Sequence, residues 1–288
     1  MDITEMQNNP LKKFFRQPSL YVKLPTLGKW YTEADVAPNE ESEIAIYGLT
    51  AMDDIMLNSP DALLNGKTLE SVINHCAPDV KNPKSLLAPD LDTIFLAIKS
   101  ASANGKYDID RTCPNCNHEN TFSVSCNHIL DSMTFVEDSD TVINFDDELK
   151  VYIKPYNFEM RRTYMRKQYD EERTLAAIDD NNVQYNDFEK SEILSQSIEK
   201  LALTTFELLA KSITSVVIVS QNITVTDSND IFEWVTNITK TRADIITEAV
   251  MALNGIGPNK KVNAVCTECS HSWDETLSFD PVSFFSKR

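Results

Sequence analysis

Six cysteines are the residues of this chain best placed to do chemistry: Cys76, Cys113, Cys116, Cys126, Cys266 and Cys269. Four of them form two Cys-x-x-Cys pairs, Cys113-Pro114-Asn115-Cys116 and Cys266-Thr267-Glu268-Cys269. A tight turn at that spacing sets two thiolates on one side of a metal, and a structural zinc takes four ligands. The two pairs therefore predict a single structural Zn2+ held by Cys113, Cys116, Cys266 and Cys269. The competing readings are a redox pair or incidental thiols. A thioredoxin-type pair usually occurs singly, at the start of a helix, whereas both pairs here run into strand-like sequence. A closed four-thiolate site leaves no open coordination position for water, so its contribution is to folding.

The pairs belong to a repeated unit. Each continues alike, to Cys116-Asn117-His118 and Cys269-Ser270-His271, and then to an apolar pattern of period two, Thr121-Phe122-Ser123-Val124-Ser125 and Trp273-Asp274-Glu275-Thr276-Leu277-Ser278-Phe279. Each unit resembles half of a zinc ribbon, a knuckle followed by a β-hairpin arm. The residue after the second cysteine of such a knuckle favours a left-handed conformation, which Asn117 tolerates better than Ser270. His118 and His271 are expected on the arm surface rather than as replacement ligands. Cys126 with His128 reads as a buried thiol beside a solvated histidine, and Cys76 as a core position. Residues 117–265 separate the two halves, so the intervening chain must leave the site and return to it.

Other chemistry finds little support. No Ser-His-Asp arrangement is visible, and His75 beside Cys76 on a helix points about 100° away from it. The carboxylates form no spaced pair distinguishable from a solvated acidic face. Six glycines in 288 residues assemble neither GxGxxG nor a P-loop, which disfavours the common nucleotide-binding folds. With 27 Lys+Arg against 44 Asp+Glu the formal net charge is −17, which opposes polyanion binding. A composition 42% hydrophobic and 25% charged is that of a globular protein. No apolar run approaches the ~18–20 residues of a membrane span. Met1-Asp2-Ile3-Thr4-Glu5 lacks the basic and apolar regions of a signal peptide, so a cytosolic protein is expected.

The elements that must position the cysteines give an α+β chain, mainly helical, with a split zinc ribbon and a helical insertion. Residues 1–30 read as an extended N-terminal arm with aromatics beside cations, namely Lys12-Lys13-Phe14-Phe15-Arg16 and Gly28-Lys29-Trp30-Tyr31. Phe14, Phe15, Trp30 and Tyr31 are candidate partner-binding residues, as are Phe284 and Phe285 near the C-terminus. Residues 31–112 read as a helical layer with short strands. Ile44–Tyr47 alternates as a strand, and Thr50 with Asp53 caps a helix. Ser59-Pro60 starts another helix that Gly66 ends. Leu69, Val72, Ile73 and Cys76 form a third stripe, and Leu91, Ile94, Phe95 and Ile98 a fourth. Residues 113–126 are the first ribbon half. Residues 127–255 hold a strand at Leu149–Pro155 and then helices. Among these, a helix from Asp187 to Ile213 carries Leu194, Ile198, Leu201, Thr205 and Leu208 as a stripe expected in the core. Ser228-Asn229-Asp230, and Thr241 with Asp244, are expected helix starts, and Gly255 an end. Residues 256–288 are the second ribbon half and an aromatic C-terminal tail.

Taken in order, several segments carry a resemblance: Leu24-Pro25-Thr26-Leu27-Gly28-Lys29-Trp30-Tyr31, Leu49-Thr50-Ala51-Met52-Asp53-Asp54, Asn65-Gly66 and Asp90-Leu91-Asp92. Ala101 to Tyr107, the two Cys-x-x-Cys pairs and Ser283-Phe284-Phe285 complete the set. The chain resembles the T-even-type (T4-like) bacteriophage baseplate family, whose members act in assembling the baseplate hub of contractile tails. The resemblance implies a non-enzymatic viral protein, made in the host bacterial cytoplasm, that chaperones the hub or remains within it in the virion tail. It implies hub subunits and the tape-measure protein as partners, association within the baseplate, and no membrane or nucleic acid. The alternatives are a zinc-ribbon nucleic-acid-binding or transcription-accessory factor, and an enzyme whose site is assembled only in three dimensions.

Overall fold

The computed structural model describes residues 10–57, 66–102, 105–146, 148–179, 186–277 and 279. The helix start expected at Ser59-Pro60 and the tail residues Phe284 and Phe285 lie outside them. Helices and strands share the described chain, which is mixed α/β and about half helical rather than mainly helical.

Two apolar cores organise it. The first draws on both ends of the sequence. Strand β1 (Leu20–Lys23) pairs antiparallel with β2 (Glu43–Ile46), Val22 opposite Ile44, and both side chains are buried. Val22, Leu24 and Thr26, expected within an extended arm, are thus built into the interior. Helices α1 (Ala51–Leu57), α2 (Lys67–Cys76) and α3 (Ala88–Ser102) pack against this ribbon, α3 with Leu91, Ile94, Phe95 and Ile98 all buried. Gly66 stands at the start of α2 at φ 66°, where a Cβ would lie 2.5 Å from the Arg162 guanidinium; the helix it is expected to end lies outside the described residues. The β3–β4 hairpin (Lys106–Thr112, Glu119–Ser125) and α4 (Cys126–Asp131) follow. Leu277 and Phe279, more than 140 residues later, complete the same core.

The second core is contiguous in sequence, from Val136 to Leu253. Its centre is a four-stranded antiparallel sheet of β5 (Val142–Phe145), β6 (Leu149–Ile153), β7 (Ile213–Ile218) and β8 (Ile223–Val225), in spatial order. The region between the cysteine pairs is therefore not simply helical, and only β6 was legible as a strand. Between the paired strands β6 and β7 the chain makes an excursion as two long helices, α5 (Phe158–Asp179) and α6 (Asp187–Ser212). Helices α7 (Ser228–Asn237) and α8 (Lys240–Asn254) cover the sheet with Ile231, Val235, Ile246, Val250 and Leu253. Their caps sit just upstream of the expected residues. Asp227 accepts from the amides of Asn229 and Asp230, and Thr239 accepts from Arg242. The stripe on α6 departs furthest from expectation: Leu194 is 48% and Ile198 58% exposed, while Ser197 and Thr204 are buried.

Strands β9 (Lys261–Val265) and β10 (Ser272–Thr276) then return to the first core as an antiparallel hairpin. Backbone pairing joins the two cores, with Ala88 donating to the Tyr156 carbonyl at 2.7 Å and Phe158 to that of Leu86 at 2.7 Å.

Candidate metal centre

The two Cys-x-x-Cys turns adopt the same local backbone geometry. In the first, Asn117 N–H donates to the Cys113 carbonyl at 3.0 Å and Cys113 N–H to that of His118 at 2.8 Å. In the second, Ser270 N–H donates to Cys266 at 3.0 Å and Cys266 N–H to His271 at 2.9 Å. Asn117 and Ser270 occupy the left-handed region at φ 58° and 57°. The hydrogen-bonded turns at the tips of β3–β4 and β9–β10 hold the cysteines and aim both pairs at one point.

Cys113 Sγ lies 3.7 Å from Cys269 Sγ, and Cys116 Sγ 3.6 Å from Cys266 Sγ. All four sulfurs fall within 4.8 Å of one another, the first cysteine of each pair crossing to the second of the other. A tetrahedral ion with Zn–S bonds of ~2.3 Å needs sulfurs ~3.8 Å apart, so the spacing fits such a metal. The donors fit as well. Asn115 Nδ2 donates to Cys269 Sγ at 3.6 Å and Asn120 Nδ2 to Cys266 Sγ at 3.7 Å. Amide donors from Cys269 and Glu268 hold the Cys266 thiol down at about 6. At Cys116 the amide of His118 also favours the thiolate, but desolvation and the three neighbouring sulfurs outweigh it and push the thiol up to about 12. Four thiolates cannot share this space without a cation, and a divalent metal reverses that balance. His118 and His271 are exposed and stand outside the ligand group, His271 stacked on Trp273 with ring centroids 6.1 Å apart.

The surroundings tie the two hairpins together. Asn120 is buried, its Oδ1 accepting from Thr267 N–H at 2.9 Å and Thr267 Oγ1 at 3.0 Å. Arg111 Nε donates to Glu275 at 2.6 Å, and Phe122 meets Trp273 edge to face at 5.8 Å. Asn120 went unrecognised in the sequence. It lies just before the run Thr121–Ser125 that reads as a strand, and the structure extends that strand back to Glu119, at a position where asparagine is disfavoured.

Comparison with known protein families matches the chain to the family described as "T4 bacteriophage base plate protein" over residues 48–286. The chain belongs to that family. Neither curated proteins nor solved structures give a match. Family membership places this base plate protein in a phage tail, in a structural or assembly role among other baseplate components. No helix among its described residues is long and apolar enough to cross a membrane.

The remaining site candidates are dispersed. Phe14, which ends a short 3-10 turn (Pro10–Phe14), and Phe15 just after it are 74% and 52% exposed, with Lys13 over the Phe14 ring at 5.0 Å. Arg16 anchors that turn: it donates to the carbonyls of Gly48 and His75, pairs with buried Asp53 at 3.5 Å and covers the Tyr47 ring. Trp30 and Tyr31 face inward. Trp30 packs against the second core, while Tyr31 donates its hydroxyl to buried Asp90 at 2.5 Å and accepts from Leu87 N–H at 2.7 Å. Cys76 and Cys126 are buried away from the cluster, and burial pushes each thiol up to about 11.

Proposed function

We propose that this base plate protein acts without enzymatic chemistry in assembling the baseplate hub of a contractile tail, as a chaperone or as a hub component. It does so from the host bacterial cytoplasm, with hub subunits and the tape-measure protein as partners. The observation that carries the reading is the family match over most of the chain. Isolation of finished tails and of assembly intermediates tests it. Recovery of the chain in intermediates but not in tails assigns the chaperone role, and stoichiometric recovery in tails the structural one. Absence from both sinks the proposal.

The four-thiolate cluster acts in this reading as a structural Zn2+ clasp, holding the two halves of a split zinc ribbon. Metal analysis of the purified protein should return one zinc per chain, and Cys113→Ser should abolish tight binding. Phe14 and Phe15 are the exposed members of the proposed partner-binding set, to which Trp30, Tyr31, Phe284 and Phe285 also belong. With a chain charge of −17, basic patches on neighbouring subunits are the expected complement. Added salt should therefore weaken association with hub subunits, and binding indifferent to salt counts against that complement.

A further inference from the structure

The two knuckles repeat each other in sequence and backbone, yet they differ in what their side chains offer to sulfur. Asn115 and Glu268 hold the same place, third in each Cys-x-x-Cys turn. Asn115 Nδ2 reaches across the site to donate to Cys269 Sγ at 3.6 Å. The carboxylate of Glu268 has no N–H to return to Cys116. Asn120 and Trp273 match as well, each four residues after the second cysteine. Asn120 Nδ2 donates to Cys266 Sγ at 3.7 Å and to the His118 carbonyl at 2.9 Å, while its oxygen is taken by Thr267. Trp273 is turned instead to Phe122 and His271. Both side-chain donors therefore belong to the first half, and both fall on sulfurs of the second. Among the described residues no side-chain N–H donates to Cys113 or Cys116.

A metal-bound cysteine is a thiolate in either half, so exposure and retained electron density decide which sulfur attacks. Cys113 and Cys266 are buried, and Cys116 and Cys269 reach the surface. Of these two, Cys269 shares its charge with the Asn115 amide. A hydrogen bond to a charged acceptor stabilises it and makes it the weaker nucleophile. We infer that Cys116 is the reactive thiolate of the cluster, the sulfur at which a soft electrophile enters and from which the clasp opens. The inference rests on the structural-zinc reading of the site. With iodoacetamide, a lone pair on Cys116 Sγ bonds the methylene carbon, the carbon–iodine bond breaks, and iodide leaves with its electron pair. No proton moves and nothing is oxidised. The product is a neutral thioether, and because it is the thiolate that ligates, the first half then loses its hold on the metal.

Substoichiometric iodoacetamide on the zinc-loaded full chain, mapped by peptide mass spectrometry, tests this. Cys116 should be labelled several-fold faster than Cys269, and zinc release to a chromophoric chelator should rise in step with the Cys116 label. Asn115→Ala should bring Cys269 up to the rate of Cys116 and leave Cys116 as it was. Glu268→Asn, which supplies the missing donor at the matching place, should slow Cys116. Both substitutions are at exposed positions and should leave the melting temperature unchanged. Even labelling of Cys116 and Cys269 in the zinc-loaded parent overturns the inference, as does a ratio that either substitution leaves unchanged. Zinc release that does not follow the Cys116 label overturns the opening at that sulfur. Metal analysis of the same sample keeps the two readings apart. A purified chain that binds no zinc sinks the clasp and the inference together, whereas a zinc-bound chain labelled evenly sinks the inference alone.

Discussion

The two cores are built on different principles. The buried apolar residues of the second come from one stretch of the sequence, Val136 to Leu253, as a sheet with helices laid over it. The first gathers segments from residues 22 to 279 and uses specific pins to do so. All three carboxylates buried among the described residues belong to it: Asp53, Asp90 and Asp92. Asp53 holds Thr50, His75 and Arg16; Asp90 holds Thr26 and Tyr31; Asp92 meets Lys260, with Arg161 at 3.7 Å. The cysteine cluster is a further pin of the same kind, and it joins segments 150 and 156 residues apart. Where neighbours in space are neighbours in sequence, chain connectivity limits the entropy lost on folding. Where they are not, directional contacts must fix which segments meet.

The sharpest way to break this comparison is to remove the proposed metal clasp. Chelation or Cys113→Ser should destabilise the first core by about 5 kcal/mol or more, because structural metal binding is folding free energy. Among its described residues the second core has no cluster that could hold a metal, and it should keep its protection. Hydrogen exchange read by segment checks this: amides in β3, β4, β9 and β10 should speed up, and those in β6, β7 and α8 should not. If both cores open together, the molecule is one cooperative unit and the distinction fails. The converse substitution is Ile246→Ala, at a fully buried position on α8. Loss of that side chain should cost about 2–5 kcal/mol while metal stoichiometry stays unchanged.

How much of this could be read from the sequence follows from the same contrast. The cysteine pairs were legible because the spacing that makes a two-thiolate turn is local. The joining of the two pairs could be inferred from ligand count. The cap at Thr50 and Asp53 was legible too, but the burial of Asp53, Asp90 and Asp92 was not, since a carboxylate in a sequence reads as solvated until its distant partners are known. Leu194 and Ile198 show the limit of periodicity. Spacing establishes that one face of a helix is apolar, and tertiary placement decides what covers it. Strand β7, Ile213–Ile218, follows α6 without a break and lacks strict alternation, so nothing local separated it from the helix. Strand β1 is four residues long and makes sense only opposite β2.

The buried acids sharpen the comparison through pH. Burial raises the Asp90 carboxyl from 3.8 to about 6, against the pull of Thr26 and Tyr31 donors. A carboxyl raised on folding contributes stability that is full below the unfolded value near 4 and is lost as pH rises through about 6, here up to ~3 kcal/mol. Asp53 is shifted the other way: desolvation is outweighed by His75 and Thr50, so its contribution is lost as pH falls. Asp90→Asn should therefore flatten the fall in stability between about pH 4 and 6 relative to the parent chain, as read from urea midpoints. Comparing the two proteins at each pH cancels what protonation of the thiolates does to the clasp. An unchanged difference across that range means that Asp90 titrates as it does in the unfolded chain.

The smallest effect concerns the knuckles themselves. Both turns need a left-handed residue after the second cysteine, and the chain supplies Asn117 at one and Ser270 at the other. Asparagine tolerates that region through its own local hydrogen bonding, whereas serine is strained there. Ser270 is exposed and sits at φ 57°, so glycine can replace it without disturbing the packed interior. Glycine also gains freedom in the unfolded chain, which offsets part of the relief. Ser270→Gly should thus stabilise by no more than about 1 kcal/mol, and Asn117→Gly by less. With the metal chelated, the gain at Ser270 should shrink, because an unclasped turn is no longer held in that conformation. A gain that persists undiminished without metal means that the hairpin pairing of β9 with β10, and not the clasp, imposes the strained residue.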